Sequence, residues 1–143
     1  MKVISSFSFL LMVAGIVGLM LTHSLFSRNP VVIAFQVAAV ALMIWARITF
    51  GGRSFHFAAN PTEGGLVTSG PYAFIRHPIY AAVCYFVTAG ALDNLPKVTC
   101  GFALLVFFGA ALRIILEERF LLQQYPEYAA YAKRTKRVVP FVL

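Results

Sequence analysis

From Val3 to Leu21 the chain carries no charged residue, and the run VISSFSFLLMVAGIVGLML is apolar or small throughout. An uncharged stretch of about 18 or more such residues is long enough to cross a bilayer as a helix. Lys2 precedes the run, as in a signal peptide. No small-x-small cleavage site follows it, however, and it exceeds the ~7–15 residues of a signal core. The run therefore reads as a retained membrane helix. Three more runs follow. Val31 to Phe50 is opened by Pro30 and closed by Arg47 and Gly51-Gly52. Pro78 to Leu92 is shorter and ends in the turn Asp93-Asn94-Leu95-Pro96. Val98 to Leu116 carries one charge, Arg113. This pattern predicts an all-α integral membrane protein with one domain over 1–143 and spans at about 3–22, 30–50, 78–92 and 96–116. The last two spans should form a helical hairpin. The loop 51–77 and a helical tail, 117–143, should lie together on one face.

Composition agrees. The 143 residues are 60% hydrophobic, against roughly 45–50% in a soluble domain. The net charge of +7 would point to nucleic acid in a soluble protein. Here the basic residues flank apolar runs, so they report topology and anionic lipid instead. Arg47, Arg53 and Arg76 sit in or beside one connection, and Arg119, Lys133, Arg134, Lys136 and Arg137 in the tail. The other connections hold Arg28, and Asp93 with Lys97. The positive-inside rule then predicts a multi-pass protein with both termini and the active face in the cytoplasm. Cys84 and Cys100 lie inside apolar runs and read as packing residues, so no metal site is expected. No nucleic-acid or obligate protein partner is expected either.

The polar residues concentrate at two places. The first is GPYAFIRHPIY, Gly70 to Tyr80, where a turn leads into the third run. Proline is favoured at the first helical position, which puts His77 at the cap and Pro78 inside the helix. A helix start with Arg76 and His77 beside it is a site for an anion. The plainer alternative is a lipid-anchoring arginine and a capping histidine. The second place is Glu117-Glu118, at the end of the fourth run of a chain with only five acidic residues. Acids at a bilayer boundary are costly and tend to be functional. An Arg113–Glu117 pair at i, i+4 accounts for one of them at most, in the weaker order. An anion site opposite two carboxylates suits a zwitterion. S-adenosylmethionine has a carboxylate, an ammonium and a sulfonium, and a phospholipid headgroup has some of the same charges.

At these residues the chain resembles the isoprenylcysteine carboxyl methyltransferase family, and more loosely the phospholipid N-methyltransferases. The likeness rests on GPYAFIRHPIY, the Glu117–Glu118 pair and the tail YPEYAAYAKRTKRVVP from Tyr125 to Pro140. It implies a membrane enzyme with S-adenosylmethionine as cofactor, a cytoplasmic pocket and a lipid-accessible opening for a lipophilic substrate. Gly70, Tyr72, His77, Tyr80, Glu117, Glu118 and Tyr131 match the cofactor pocket. Arg76 and Arg134 match arginines near a reacting carboxylate. Glu118 also stands as the obvious base if the acceptor is an amine. Beside the better-known eukaryotic members the chain is short, and their extra N-terminal spans are not expected in it. Two rivals share features with this reading. A sterol-type reductase using NADPH has a similar RHP element, and a non-catalytic lipid-binding protein would account for the basic tail.

Overall fold

A computed structural model describes residues 2–51, 65–94 and 97–140. Arg53 and the Leu95-Pro96 part of the predicted turn lie outside the described residues. Five α-helices are present: α1 Lys2–Leu21, α2 Pro30–Phe50, α3 Pro78–Asp93, α4 Lys97–Gln124 and α5 Tyr128–Arg134. A short 3-10 helix, Gly70–Ala73, precedes α3. No strand is formed among the described residues, whose one β-type pairing is an isolated bridge between Ile75 and Lys136.

The helix starts follow local chemistry. Asn29 caps α2 by accepting from the Val31 N–H at 3.0 Å, and Pro30 occupies the first helical position. His77 and Pro78 stand in the same relation at α3, but the His77 side chain makes no cap hydrogen bond. That leaves its ring for other work. α4 continues about two turns past the predicted span end at 116. It stops at Gln124, before Tyr125-Pro126. Both glutamates are thus helical residues rather than part of a tail.

Three helices, α1, α2 and α4, are long and apolar enough to cross a membrane, whereas α3 is a shorter apolar helix of 16 residues. Their outer faces show what solvent they require. Phe7, Leu10, Phe35, Val37, Ile48, Leu104 and Phe108 are all more than half exposed. Apolar surface of that extent is stable only in lipid or against a partner.

The helices run α2, α3, α4, α1 across the bundle, each antiparallel to its neighbour. The hairpin-connected pair α3 and α4 is not the most intimate contact; α1 against α4 is closer. The reason is the absence of side chains at the crossing. A Cβ on Gly109 would stand 2.6 Å from the Ser8 carbonyl oxygen. The buried cluster of Leu19, Leu25, Val87, Ala91, Ala103 and Val106 fills the half of the bundle away from the glutamates. Polar groups in that half are satisfied. Gln36 donates to the Leu25 carbonyl at 2.7 Å, Thr99 to the Ser24 hydroxyl at 2.9 Å, and Ser27 pairs with Asp93.

Candidate functional site

The opposite end of the bundle gathers the start of α3, the last turns of α4, α5 and the segment after it. Gly70 makes the turn into this region with a φ of 56°, a left-handed conformation that a side chain would strain. Space is short as well, since a Cβ there would meet the Thr49 hydroxyl at 2.6 Å. The 3-10 helix then buries Tyr72, whose ring lies 5.6 Å from that of Phe50. The Tyr72 carbonyl accepts from the Tyr131 hydroxyl at 2.6 Å. Burial pushes the Tyr131 phenol up to about 12, so it stays a neutral donor and ties α5 to the turn.

The chain after α5 runs beside the segment before α3. Arg76 N–H donates to the Lys136 carbonyl at 2.7 Å, and His77 N–H to the Arg137 carbonyl at 2.9 Å. This short pairing sets the register of the C-terminal segment, and with it which basic side chain faces the glutamates.

Glu118 is held on both oxygens. Its Oε1 accepts from Arg76 Nε at 3.0 Å. Its Oε2 accepts two charge-assisted hydrogen bonds from Arg137, from Nε at 3.0 Å and Nη2 at 2.8 Å. Arg76 Nη1 also reaches the carbonyls of Ala132, at 2.9 Å, and Thr135. The Glu118 side chain is 10% exposed. Its charge raises the pKa of Arg137, chiefly through the hydrogen bonds between them.

Glu117 is more open, at 24%. Its Oε1 accepts from the Tyr80 hydroxyl and lies 3.7 Å from Arg113 Nη2. Its Oε2 lies 3.7 Å from His77 Nδ1. His77 is 5% exposed and spans the two acids, with Nε2 3.4 Å from Glu118 Oε1. The contact is electrostatic, since Nε2 makes no hydrogen bond among the described residues. The Tyr80 and His77 ring centroids are 6.0 Å apart.

Eight of the nine residues singled out in the sequence therefore meet at one end of the bundle: Gly70, Tyr72, Arg76, His77, Tyr80, Glu117, Glu118 and Tyr131. Arg134 stands apart, exposed at the end of α5. Arg137, Arg113 and Tyr128 enter in addition. Tyr128 is 1% exposed, and its hydroxyl has no partner among the described residues. The signal for Arg113 was present in the sequence, as a lone charge inside an apolar run. Nothing in the spacing singled out Arg137 from its basic neighbours.

Residues 31–123 match the model of the isoprenylcysteine carboxyl methyltransferase family. The match runs from α2 almost to the end of α4 and includes both the RHP element and the glutamate pair. The chain belongs to this family. Family membership does not cover α1 or the C-terminal segment, which the structure nonetheless joins to the shared part through Arg113 and Glu118.

Two relatives with names are similar over much of the chain. One is the cobalt-zinc-cadmium resistance protein CzcN of Cupriavidus metallidurans, 32% identical over 117 residues, which are 78% of this chain and 50% of that protein. Another is the nickel-cobalt-cadmium resistance protein NccN of Alcaligenes xylosoxydans xylosoxydans, 32% identical over 100 residues, 68% of this chain and 42% of that protein. The chain thus spans about half the length, or less, of these relatives. No solved structure matches it at comparable significance. Among the described residues, no group of three or more His, Cys, Asp or Glu is placed to hold a metal ion.

Proposed function

We propose that the protein is a membrane methyltransferase that uses S-adenosylmethionine and acts on a lipophilic acceptor, most simply a carboxylate of the isoprenylcysteine type. Four crossings with both termini in the cytoplasm put the site on the cytoplasmic face. One observation supports this reading above the others. His77, buried, stands at the start of a helix between two carboxylates, 3.7 Å from Glu117 and 3.4 Å from Glu118. A lipid anchor needs neither the burial nor the acids.

The residues fit the cofactor's charges. His77 and the first turn of α3 suit its carboxylate. The glutamate pair supplies a carboxylate oxygen for its ammonium. The rings of Tyr72 and Tyr80 supply flat apolar walls. When bound, the cofactor supplies an electrophilic methyl group on a sulfonium. Arg134, exposed at the end of α5, receives the acceptor carboxylate, since Arg76 is already committed to Glu118 and to the Ala132 and Thr135 carbonyls. An arginine fork holds a carboxylate without protonating it. The acceptor oxygen then needs only to be placed, and positioning is the main demand of such a transfer. Lipid around the outer faces keeps the region poor in water, which favours a step in which opposite charges cancel.

S-adenosylhomocysteine is expected to raise the unfolding temperature of the purified protein, and NADPH is not. Ligand at a hundred times its dissociation constant stabilises the folded state by about 2.7 kcal/mol. Stabilisation by NADPH alone would put the sterol-type reductase first. Transfer of labelled methyl to a farnesylcysteine analogue, but not to phosphatidylethanolamine, separates carboxylate from amine acceptors.

Sidedness has its own test. In a variant with Cys84 and Cys100 replaced by serine, cysteines are placed at Arg28 or Lys133, both exposed. A membrane-impermeant thiol reagent added to whole cells should label the first and spare the second. The reverse pattern would sink the proposed orientation.

A further inference from the structure

Arg113 needs a separate account. It is 6% exposed and lies one helical turn before Glu117, toward the apolar part of α4. Its guanidinium sits 5.6 Å from the Phe9 ring centroid of α1 and 5.9 Å from the Tyr80 ring centroid of α3. Nη1 points to the Ser5 carbonyl at 3.5 Å. A guanidinium in this setting is costly to bury and is kept for a purpose. A simple i, i+4 ion pair is not that purpose. The 3.7 Å separation from Glu117 is too long for a direct hydrogen bond. A shorter contact goes elsewhere, from Arg113 Nε to the Tyr80 hydroxyl at 2.8 Å. With its oxygen accepting from arginine, the Tyr80 O–H must point away from Arg113, and it points to Glu117 Oε1.

The chain Arg113–Tyr80–Glu117 therefore acts on one oxygen of one carboxylate. Oε1 is committed to the protein, and Oε2 has only the His77 Nδ1 beside it, at 3.7 Å, among the described residues. Glu118 offers no such vacancy, because both of its oxygens carry guanidinium hydrogen bonds of 2.8–3.0 Å. We propose that Arg113 is a positioning residue that, through Tyr80, fixes Glu117 so that Oε2 alone receives the ammonium of the cofactor. The two glutamates then have separate tasks. Glu117 reads the ligand, and Glu118 fastens the C-terminal segment. This rests on the methyltransferase reading and adds to it which acid touches the ligand and what aims it.

The test compares two ligands by calorimetry on the full chain in detergent: S-adenosylhomocysteine and its analogue lacking the α-amino group. A charge-assisted hydrogen bond to the ammonium should make the wild type prefer the first by at least about tenfold. Glu117→Gln should remove most of that preference. Arg113→Met and Tyr80→Phe should each reduce it at least about threefold, because the carboxylate is still charged but no longer aimed. Arg113→Lys should restore it only in part, since a lysine lacks the guanidinium geometry. In the Tyr80→Phe/Glu117→Gln double variant the losses should not add, as expected for residues acting through one contact. Equal weakening of both ligands by Arg113→Met and Tyr80→Phe, with the preference intact, would overturn the proposal while leaving the methyltransferase reading in place. If Arg113→Met does not fold, Tyr80→Phe decides alone, since it removes a single hydroxyl. A wild type that binds neither ligand would overturn the methyltransferase reading itself, and the proposal with it.

Discussion

Glu118→Ala is expected to destabilise the protein by about 3 kcal/mol and to release the C-terminal segment from the start of α3. Removing one member of a buried ion pair leaves the other charge buried without compensation, and the loss is typically about 3–5 kcal/mol. Arg76 is the charge left behind, and its side chain is 10% exposed. The lower end of the range applies, because Arg76 keeps the Ala132 and Thr135 carbonyls. Arg137 adds little, being 52% exposed and able to turn to water. Its grip matters for order rather than energy. With Glu118 gone, the segment after α5 loses its ion pair and keeps the two backbone bonds to Arg76 and His77, the Arg76 bond to the Thr135 carbonyl and the Tyr85 bond to the Val138 carbonyl. Denaturant midpoints in detergent measure the first effect, and protease sensitivity between 125 and 140 the second. A midpoint shift below about 0.5 kcal/mol, the range of an unremarkable surface change, would sink this role. Protection of the segment equal to wild type would count against it as well.

Arg134→Ala is expected to lower methyl transfer at least a hundredfold and to leave S-adenosylhomocysteine affinity within about twofold. Loss of a group that places a reacting centre typically costs about 10²-fold or more. The contrast with Arg137 makes the expectation specific. Arg137 is committed to Glu118, and Arg134 projects from the end of α5 with its side chain exposed. Arg137→Ala should therefore resemble a mild form of Glu118→Ala, with lower stability and tail release. Arg134→Ala should do neither. Arg134→Lys should recover little activity, for want of the planar fork. Turnover at the wild-type level in Arg134→Ala would remove this residue from the acceptor site.

Much of the architecture is legible because membrane insertion is read locally. Length and apolarity of a run are properties of consecutive residues, and four of the five helices fall where the runs lie. Their starts are equally local, since Asn29 caps α2 and a proline takes the first helical position of both α2 and α3. The end of α4 was less visible. A run of apolar residues ends at Leu116, but a helix ends where its hydrogen bonds can no longer continue. Here that is the Tyr125-Pro126 step, with the Tyr125 N–H still bonded to the Leu121 carbonyl at 2.9 Å. Charge marked the edge of the apolar run and did not stop the helix.

The sequence by itself determined the helices, the membrane class, and the gathering of RHP and the glutamate pair at one end of the bundle. The antiparallel packing of α3 on α4 leaves the start of α3 and the end of α4 few other places to be. Only the tertiary structure decided which charge meets which. Four basic residues follow Tyr131 within the tail, and their spacing does not rank them. The backbone pairing of Ile75 with Lys136 sets a register that brings Arg137 onto Glu118 and leaves Arg134 outside. In the same way, the close crossing of α1 and α4 brings Phe9 and Ser5 to Arg113, a contact between residues a hundred positions apart. Local physics sets where a helix forms, but a guanidinium reaches only as far as its side chain. Its partner is therefore fixed by register and helix crossing, and neither is written in any one segment.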